Sequence, residues 1–340
     1  MRISELGEFP LIDRVAEIVA VDRDDIVVGI GDDVAVLAGG GGDEWLLAKV
    51  DIQVEGVHFV PGSISAHDLG RKALAINLSD IAAAGGRPHH ALVSLALPAE
   101  TEVAWVEELY RGLRQEGDRY GVVVVGGNMA RSPGGIVVDV FVLGRVRREH
   151  LLLRLGAQPG DCVLVTGTLG DSAAGLALLQ DPGLELDAVH RQMLLARHFT
   201  PTPRLPESTV IARRGGATAM IDVSDGLSSD VGHICERSGV GVRLWVARLP
   251  LSPAARQVAG AIGRPFWELA LEGGEDYELC FTAPPGAAEE LAAAVERETG
   301  TPVTVVGEIL ADEGRWLVGE DGTEVPLQAR GWQHFRRTPQ

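Results

Sequence analysis

The chain lacks most of the signatures by which nucleotide- and metal-using proteins announce themselves. Its three cysteines, Cys162, Cys235 and Cys280, lie far apart and form no CxxC pair. That excludes a disulfide framework or a thiolate zinc site and fits a reducing compartment. There is no GxxxxGK[ST], no GxGxxG after a strand, no protein-kinase motif set and no HExxH. If the chain handles ATP, it does so without a P-loop or a dinucleotide fingerprint. No Lys/Arg cluster offers the basic face a nucleic-acid binder needs. No apolar run approaches the roughly 20 residues of a membrane span, and Met1-Arg2-Ile3-Ser4-Glu5 opens no apolar signal segment. These absences point to a cytoplasmic protein that binds neither membrane nor nucleic acid.

What is present is acid. Asp and Glu outnumber Lys and Arg 48 to 30, a formal charge of −18, in a chain that is 46% hydrophobic. Most of the surplus reads as a solvated surface. Four acidic clusters are different because each sits beside Gly or Ser: Gly31-Asp32-Asp33, Asn77-Leu78-Ser79-Asp80, Asp222-Val223-Ser224-Asp225-Gly226 and Gly273-Gly274-Glu275-Asp276. Carboxylates on flexible backbone suit hard divalent cations, which in turn hold phosphate oxygens.

At 340 residues the length favours two domains. Short Val/Ile runs at 45–50, 122–125 and 136–143 read as strands, and the spacing predicts helices over 101–120 and 68–84, the latter ending at Gly85-Gly86. The second half repeats the alternation, with strands at 162–166, 217–223 and 301–309 and helices at 171–179, 228–238 and 286–299. The Gly/Pro-containing stretch 155–161 is the expected junction. The class is α/β (α+β) with two domains, 1–148 and 149–340.

Each cluster has a plain reading beside the functional one. Gly-Asp-Asp alone is common turn chemistry, although adjacent Asp residues can send one carboxylate to a metal while the other fixes the loop. Asp51 follows the first strand, and His58 close behind it is as often a core or surface residue as a ligand. Asp80, inside an apolar helix, needs a partner, either Arg71 or Lys72 or a metal. Asp225 can N-cap the next helix and also ligate. The stretch 273–279 reads as a bulged edge strand or as backbone that a ligand approaches closely.

Taken in order, these blocks resemble the thiamine-monophosphate kinase family, part of the superfamily that includes aminoimidazole ribonucleotide synthetase. The likeness is carried by Gly7-Glu8-Phe9 with Leu11-Ile12, 29–37, 54–59, 72–85, Gly160-Asp161 with 165–176, 221–233, 272–282 and Gly331-Trp332-Gln333-His334-Phe335. It implies ATP-dependent phosphorylation of thiamine monophosphate to thiamine diphosphate by direct in-line transfer, with several Mg²⁺ ions and an N-terminal domain that pairs in a homodimer. Metal ligands by motif position are Asp33, Asp51, Asp80, Asn128, Asp222 and Asp225, of which Asp33, Asp80 and Asp222 form the catalytic set. Gly127, Asn128, Arg154 and Ser224 would contact ATP, and His58, Glu275 and Trp332 the thiamine side.

Two motifs depart from the family. Lys49-Val50-Asp51 replaces Ser/Thr-Thr-Asp, and Gly126-Gly127-Asn128-Met129-Ala130-Arg131 replaces Gly-Gly-Asp-Thr-Thr-Arg. Lys49 then either places an ammonium at the ATP phosphates where a cation otherwise sits, or points to solvent. The alternatives to the kinase are a non-catalytic nucleotide- or thiamine-phosphate-binding homologue, and a superfamily relative using ATP on another acceptor.

Overall fold

The structure, a computed structural model, describes residues 2–39, 42–332 and 334–335. Two sheets organise it. The first contains β1 (Ile26–Val28), β2 (Ala35–Leu37), β3 (Glu44–Val54), β4 (Arg87–Leu97), β5 (Val123–Arg131) and β6 (Val137–Arg147), in the order β1-β2-β3-β6-β4-β5. The second contains β7 (Cys162–Thr166), β8 (Ala219–Asp222), β9 (Gly241–Trp245), β10 (Leu279–Ala283), β11 (Val303–Leu310), β12 (Arg315–Val318) and β13 (Glu324–Pro326), in the order β13-β12-β9-β11-β7-β10-β8. Pairing is antiparallel except between β4 and β5 and between β9 and β12. The class is therefore mixed α/β, as the alternation of patterns predicted.

The period of two along a strand explains how each sheet is covered. In the second sheet Leu164, Met220 and Phe281 face one core, with helices Leu205–Arg214 and Pro285–Thr299. Their neighbours Val163, Val165, Ile221 and Cys280 face another, under helices Asp171–Gln180, Leu227–Ser238 and Pro253–Ala261. In the first sheet Val93, Val138, Val140 and Val142 are fully buried. The alternate positions stay open: Val50 is 54% and Ile52 42% exposed.

Helix Ala66–Ala83 lies at the junction, touching β3 and β6 of the first sheet, β8 of the second, and helices Val103–Tyr120 and Leu205–Arg214. Ser65 starts it by accepting the Asp68 N–H at 3.0 Å. Gly85 ends it at φ +72°, where a Cβ would stand 2.3 Å from the His150 carbonyl oxygen. Nearly every residue from Leu69 to Ala83 is buried, the condition of a helix packed on all sides.

Two expectations change. The strand expected over 45–50 extends to Val54, because β3 pairs with β6 along its whole length, so Asp51 sits within the strand opposite Val140. The 273–278 segment is not part of an edge strand; it is a loop entering β10, which is interior, between β7 and β8. Among the described residues no helix is long and apolar enough to cross a membrane.

The junction helix approaches helix Val103–Tyr120 through two glycines. A Cβ on Gly70 would lie 2.0 Å from the Leu109 carbonyl oxygen, and one on Gly112 1.8 Å from that of His67. Alanine favours an exposed helix by about 1 kcal/mol over glycine, but overpacking costs about 1–3 kcal/mol, and here the obstacle is backbone. Gly112→Ala should therefore lower unfolding free energy by about 1–2 kcal/mol in urea titration; a gain in stability would refute this packing.

Candidate active site

Asp33, from the loop after β1, Asp80, from the last turns of the junction helix, and Asp222, the final residue of β8, meet at the sheet junction. One carboxylate oxygen from each lies within 4.8 Å of the other two, and all three residues are buried. At an effective dielectric of about 20, two full charges at such a separation repel by roughly 3 kcal/mol. The cluster therefore demands cations.

Two are built in. Arg154 reaches Asp33 from Nε at 2.9 Å and from Nη2, and its backbone N–H donates to Asp32 at 3.2 Å. Lys49 Nζ lies 2.8 Å from Asp80. Asp32 accepts the Asp33 N–H at 2.9 Å, so one member of the Asp-Asp pair fixes the loop while the other turns inward. Asp80 thus pairs with neither of its expected partners: Arg71 binds Glu116 and Lys72 binds Glu275.

The cations do not discharge the cluster. Burial and then neighbouring acid, Asp33 for Asp222 and Glu8 for Asp225, push both carboxyls up to about 7. Burial, against Lys49, also holds Asp80 well above the usual carboxylate range. Among the described residues Asp33 Oδ2 finds no hydrogen-bond partner, although Asp33 is almost wholly buried. An orphaned carboxylate oxygen beside two others is a fit site for a hard divalent cation, and Asp33, Asp80 and Asp222 are the residues that could hold it.

Asp225 does not cap the following helix. Gly226 occupies the N-cap, and Asp230 Oδ2 accepts the N–H groups of Asp225 and Gly226 at 3.2 and 3.0 Å. The 222–226 and 273–278 loops are laced together: Glu275 N–H donates to Ser224 O at 2.7 Å and Tyr277 N–H to Val223 O at 2.8 Å. Trp332 N–H donates to Asp225 O at 3.1 Å, bringing that residue to the same place. Glu275 and Tyr277 have φ of +58° and +51°, left-handed conformations that these bonds hold in place. Asp276 serves as structure, accepting the N–H groups of Gly170 and Ser172 at the start of helix Asp171–Gln180.

Beside the acid cluster is a mixed patch. Lys72, 1% exposed, sits 2.8 Å from Glu275, and His198 Nδ1 is 3.4 Å from the other Glu275 oxygen. Although burial alone would raise it, Lys72 and then His198 hold the Glu275 carboxyl below its ordinary value. His58 Nδ1 accepts the Val54 N–H at 3.0 Å, which leaves Nε2 for another partner. Burial lowers the His58 pKa, so the ring is neutral at pH 7. His334 is 5.2 Å from His58 and 5.8 Å from Trp332 between ring centroids, and its N–H donates to Glu8 at 2.9 Å. Gln333 of that motif lies outside the described residues.

The departing motifs separate. Lys49 and Asp51, two residues apart, share the covered face of β3, while Val50 points to the open face. A hydroxyl at 50 would not look into the cluster. Gly127 and Asn128 lie on the edge strand β5, three strands from β3 and therefore roughly 14 Å away. A Cβ at Gly127 would meet the Val93 carbonyl oxygen at 1.8 Å, so close strand packing alone requires that glycine. Asn128 is exposed and lines a hollow of about 320 Å³ with Tyr110 and Met129. Lys72, His198 and Glu8 were not legible as site residues. Lys72 did carry a signal, as a cation inside the apolar run 69–76.

Comparison with known proteins gives a consistent result. The family model "AIR synthase related protein, N-terminal domain" matches residues 31–146, and the corresponding C-terminal domain matches 158–318. Thiamine-monophosphate kinase of Escherichia coli K12 is 40% identical over 330 residues, covering 97% of this chain and 98% of that protein. The Aquifex aeolicus kinase is 38% identical over 338 residues, covering 98% and 100%. A solved structure described as AaThiL complexed with AMPPCP and TMP matches with a TM-score of 0.85 at 37% identity, covering 98% of this chain and 99% of that one.

The electrostatics generate a pH prediction. Asp222 and Asp225 titrate near 7 when folded and in the ordinary range, about 4, when unfolded. Between those values the folded state binds more protons. The stability this confers is complete below about pH 4 and is lost as pH rises through 7. A divalent cation relieves the ionised cluster, so added Mg²⁺ should raise the melting temperature more at about pH 8 than at about pH 5.5. An equal gain at both values would contradict the assignment.

Proposed function

The chain belongs to the thiamine-monophosphate kinase family, and from that premise we propose that it transfers the γ-phosphoryl group of ATP to the phosphate of thiamine monophosphate. An acceptor phosphate oxygen forms the new bond to the γ-phosphorus as the bond to the ADP oxygen breaks, in line and without a phosphoenzyme. The observation that carries this reading is the buried Asp33–Asp80–Asp222 cluster, in a chain matched almost end to end by a relative described with AMPPCP and TMP. Phosphoryl transfer asks mainly for positioning and charge neutralisation, which such a cluster is suited to give.

Asp33, Asp80 and Asp222, with Asp51 and Asp225, are the residues we assign to Mg²⁺, which when bound neutralises phosphate charge as a Lewis acid. Arg154 and Ser224 are assigned to the nucleotide. Neutral His58, the fixed carboxylate of Glu275 and the exposed indole of Trp332 are assigned to the thiamine side, where an indole suits a cationic thiazolium. Asn128 and Gly127 enter this reading on motif position alone. The open apolar face around Val50 and Ile52 supports a homodimer formed through the first sheet. Three free cysteines accord with a cytoplasmic location.

Incubation with ATP, Mg²⁺ and thiamine monophosphate should yield ADP and thiamine diphosphate in equal amounts. Asp222→Asn should cut kcat/KM by more than about 100-fold, the upper end for residues that merely support a metal ligand. ADP without thiamine diphosphate would indicate another acceptor, and neither product would indicate a binding protein. In sedimentation, Ile52→Asp should convert dimer to monomer; a wild-type monomer, or a variant that stays dimeric, would refute the proposed interface.

A further inference from the structure

The phosphate site carries an ammonium where an acidic cluster would ordinarily recruit a metal. Lys49 enters from β3 on the covered face, the same face as Asp51 and opposite the buried Val142. Its Nζ lies 2.8 Å from one oxygen of Asp80, whose carboxylate also belongs to the set within 4.8 Å of Asp33 and Asp222. Asp51 and Asp33 are further carboxylates whose charge reaches that ammonium. The side chain is therefore anchored by acid and directed inward.

We propose that Lys49 is a resident cation of the phosphate site and stands in for one divalent ion, so that this chain binds one fewer metal per active site than it would without that ammonium. The inference rests on the phosphoryl-transfer reading and deepens it. An ammonium is a compact point charge with three donors; with one spent on Asp80, two remain for other oxygens. It can thus join a protein carboxylate to a phosphate oxygen, as a metal does, without adjusting ion occupancy to the Mg²⁺ level. Asp33 Oδ2, which finds no hydrogen-bond partner among the described residues, leaves the cluster an oxygen to offer a divalent ion beside Lys49 and Arg154. Lys49 replaces part of the metal complement and leaves the remainder in place.

The test is a count of bound Mn²⁺ by electron paramagnetic resonance, with saturating AMPPCP and no acceptor, on wild type and Lys49→Ser. The variant is expected to bind one more Mn²⁺ per protomer than wild type. An unchanged or lower count in a variant that melts cooperatively would overturn the proposal. If Lys49→Ser does not fold, Lys49→Gln, which keeps the length and offers a carbonyl oxygen, is read by the same count. Turnover is scored separately: wild type failing to make thiamine diphosphate defeats the kinase reading, whereas an unchanged count defeats only the role of Lys49.

Discussion

The structure depends on a repulsion that the fold is built to sustain. Three carboxylates from separate parts of the chain are buried with oxygens within 4.8 Å of one another. With Asp51 and Asp225 close by, five acidic side chains face two resident cations, Lys49 and Arg154. Burying like charges this closely is unfavourable by several kcal/mol, and a protein keeps such an arrangement where a ligand reverses the sign. The raised carboxyl values of Asp222 and Asp225 express the same imbalance.

Holding that cluster explains much of the architecture around it. Helix Ala66–Ala83 carries both Lys72 and Asp80, about two turns apart, and its packing on both sheets leaves it little freedom to retreat. The close glycine approach of its neighbour helix tightens that constraint. Lys72 spans from this helix to Glu275, coupling the first sheet's side of the site to the loop before β10. The backbone bonds from Glu275, Tyr277 and Trp332 to the 223–225 segment complete the frame. Positioning is thus supplied by covalently distant but rigid elements, which is what an in-line transfer requires.

Much of this was legible in the sequence, for identifiable reasons. Acid near Gly or Ser marked Asp33 and Asp222 because loop and strand ends leave compositional traces, and Asp80 stood out as a carboxylate inside an apolar helix. Strand positions followed from β-branched runs, and their limits did not, since β3 continues through Asp51 only because β6 supplies a partner. Whether Lys49 faces acid or solvent depends on which face of β3 is covered, and only the packing of helix Ala66–Ala83 decides that. The partner of Asp80 was missed because Lys49 is remote in sequence from the helix, while Arg71 and Lys72 were near and are committed elsewhere. His198 left no signal, and Glu8, although part of the Gly7-Glu8-Phe9 block, showed no role, since each acts through a contact that only the tertiary fold creates.

The central claim is that the acid cluster binds divalent cation at the phosphates. Anomalous diffraction from crystals grown with Mn²⁺ and AMPPCP tests it most directly. The account predicts at least one anomalous peak within about 2.0–2.3 Å of oxygens from Asp33, Asp80 and Asp222 together, bridging to the nucleotide. A nucleotide seated with its metal held by phosphate and water alone, and no peak among those three carboxylates, would contradict it.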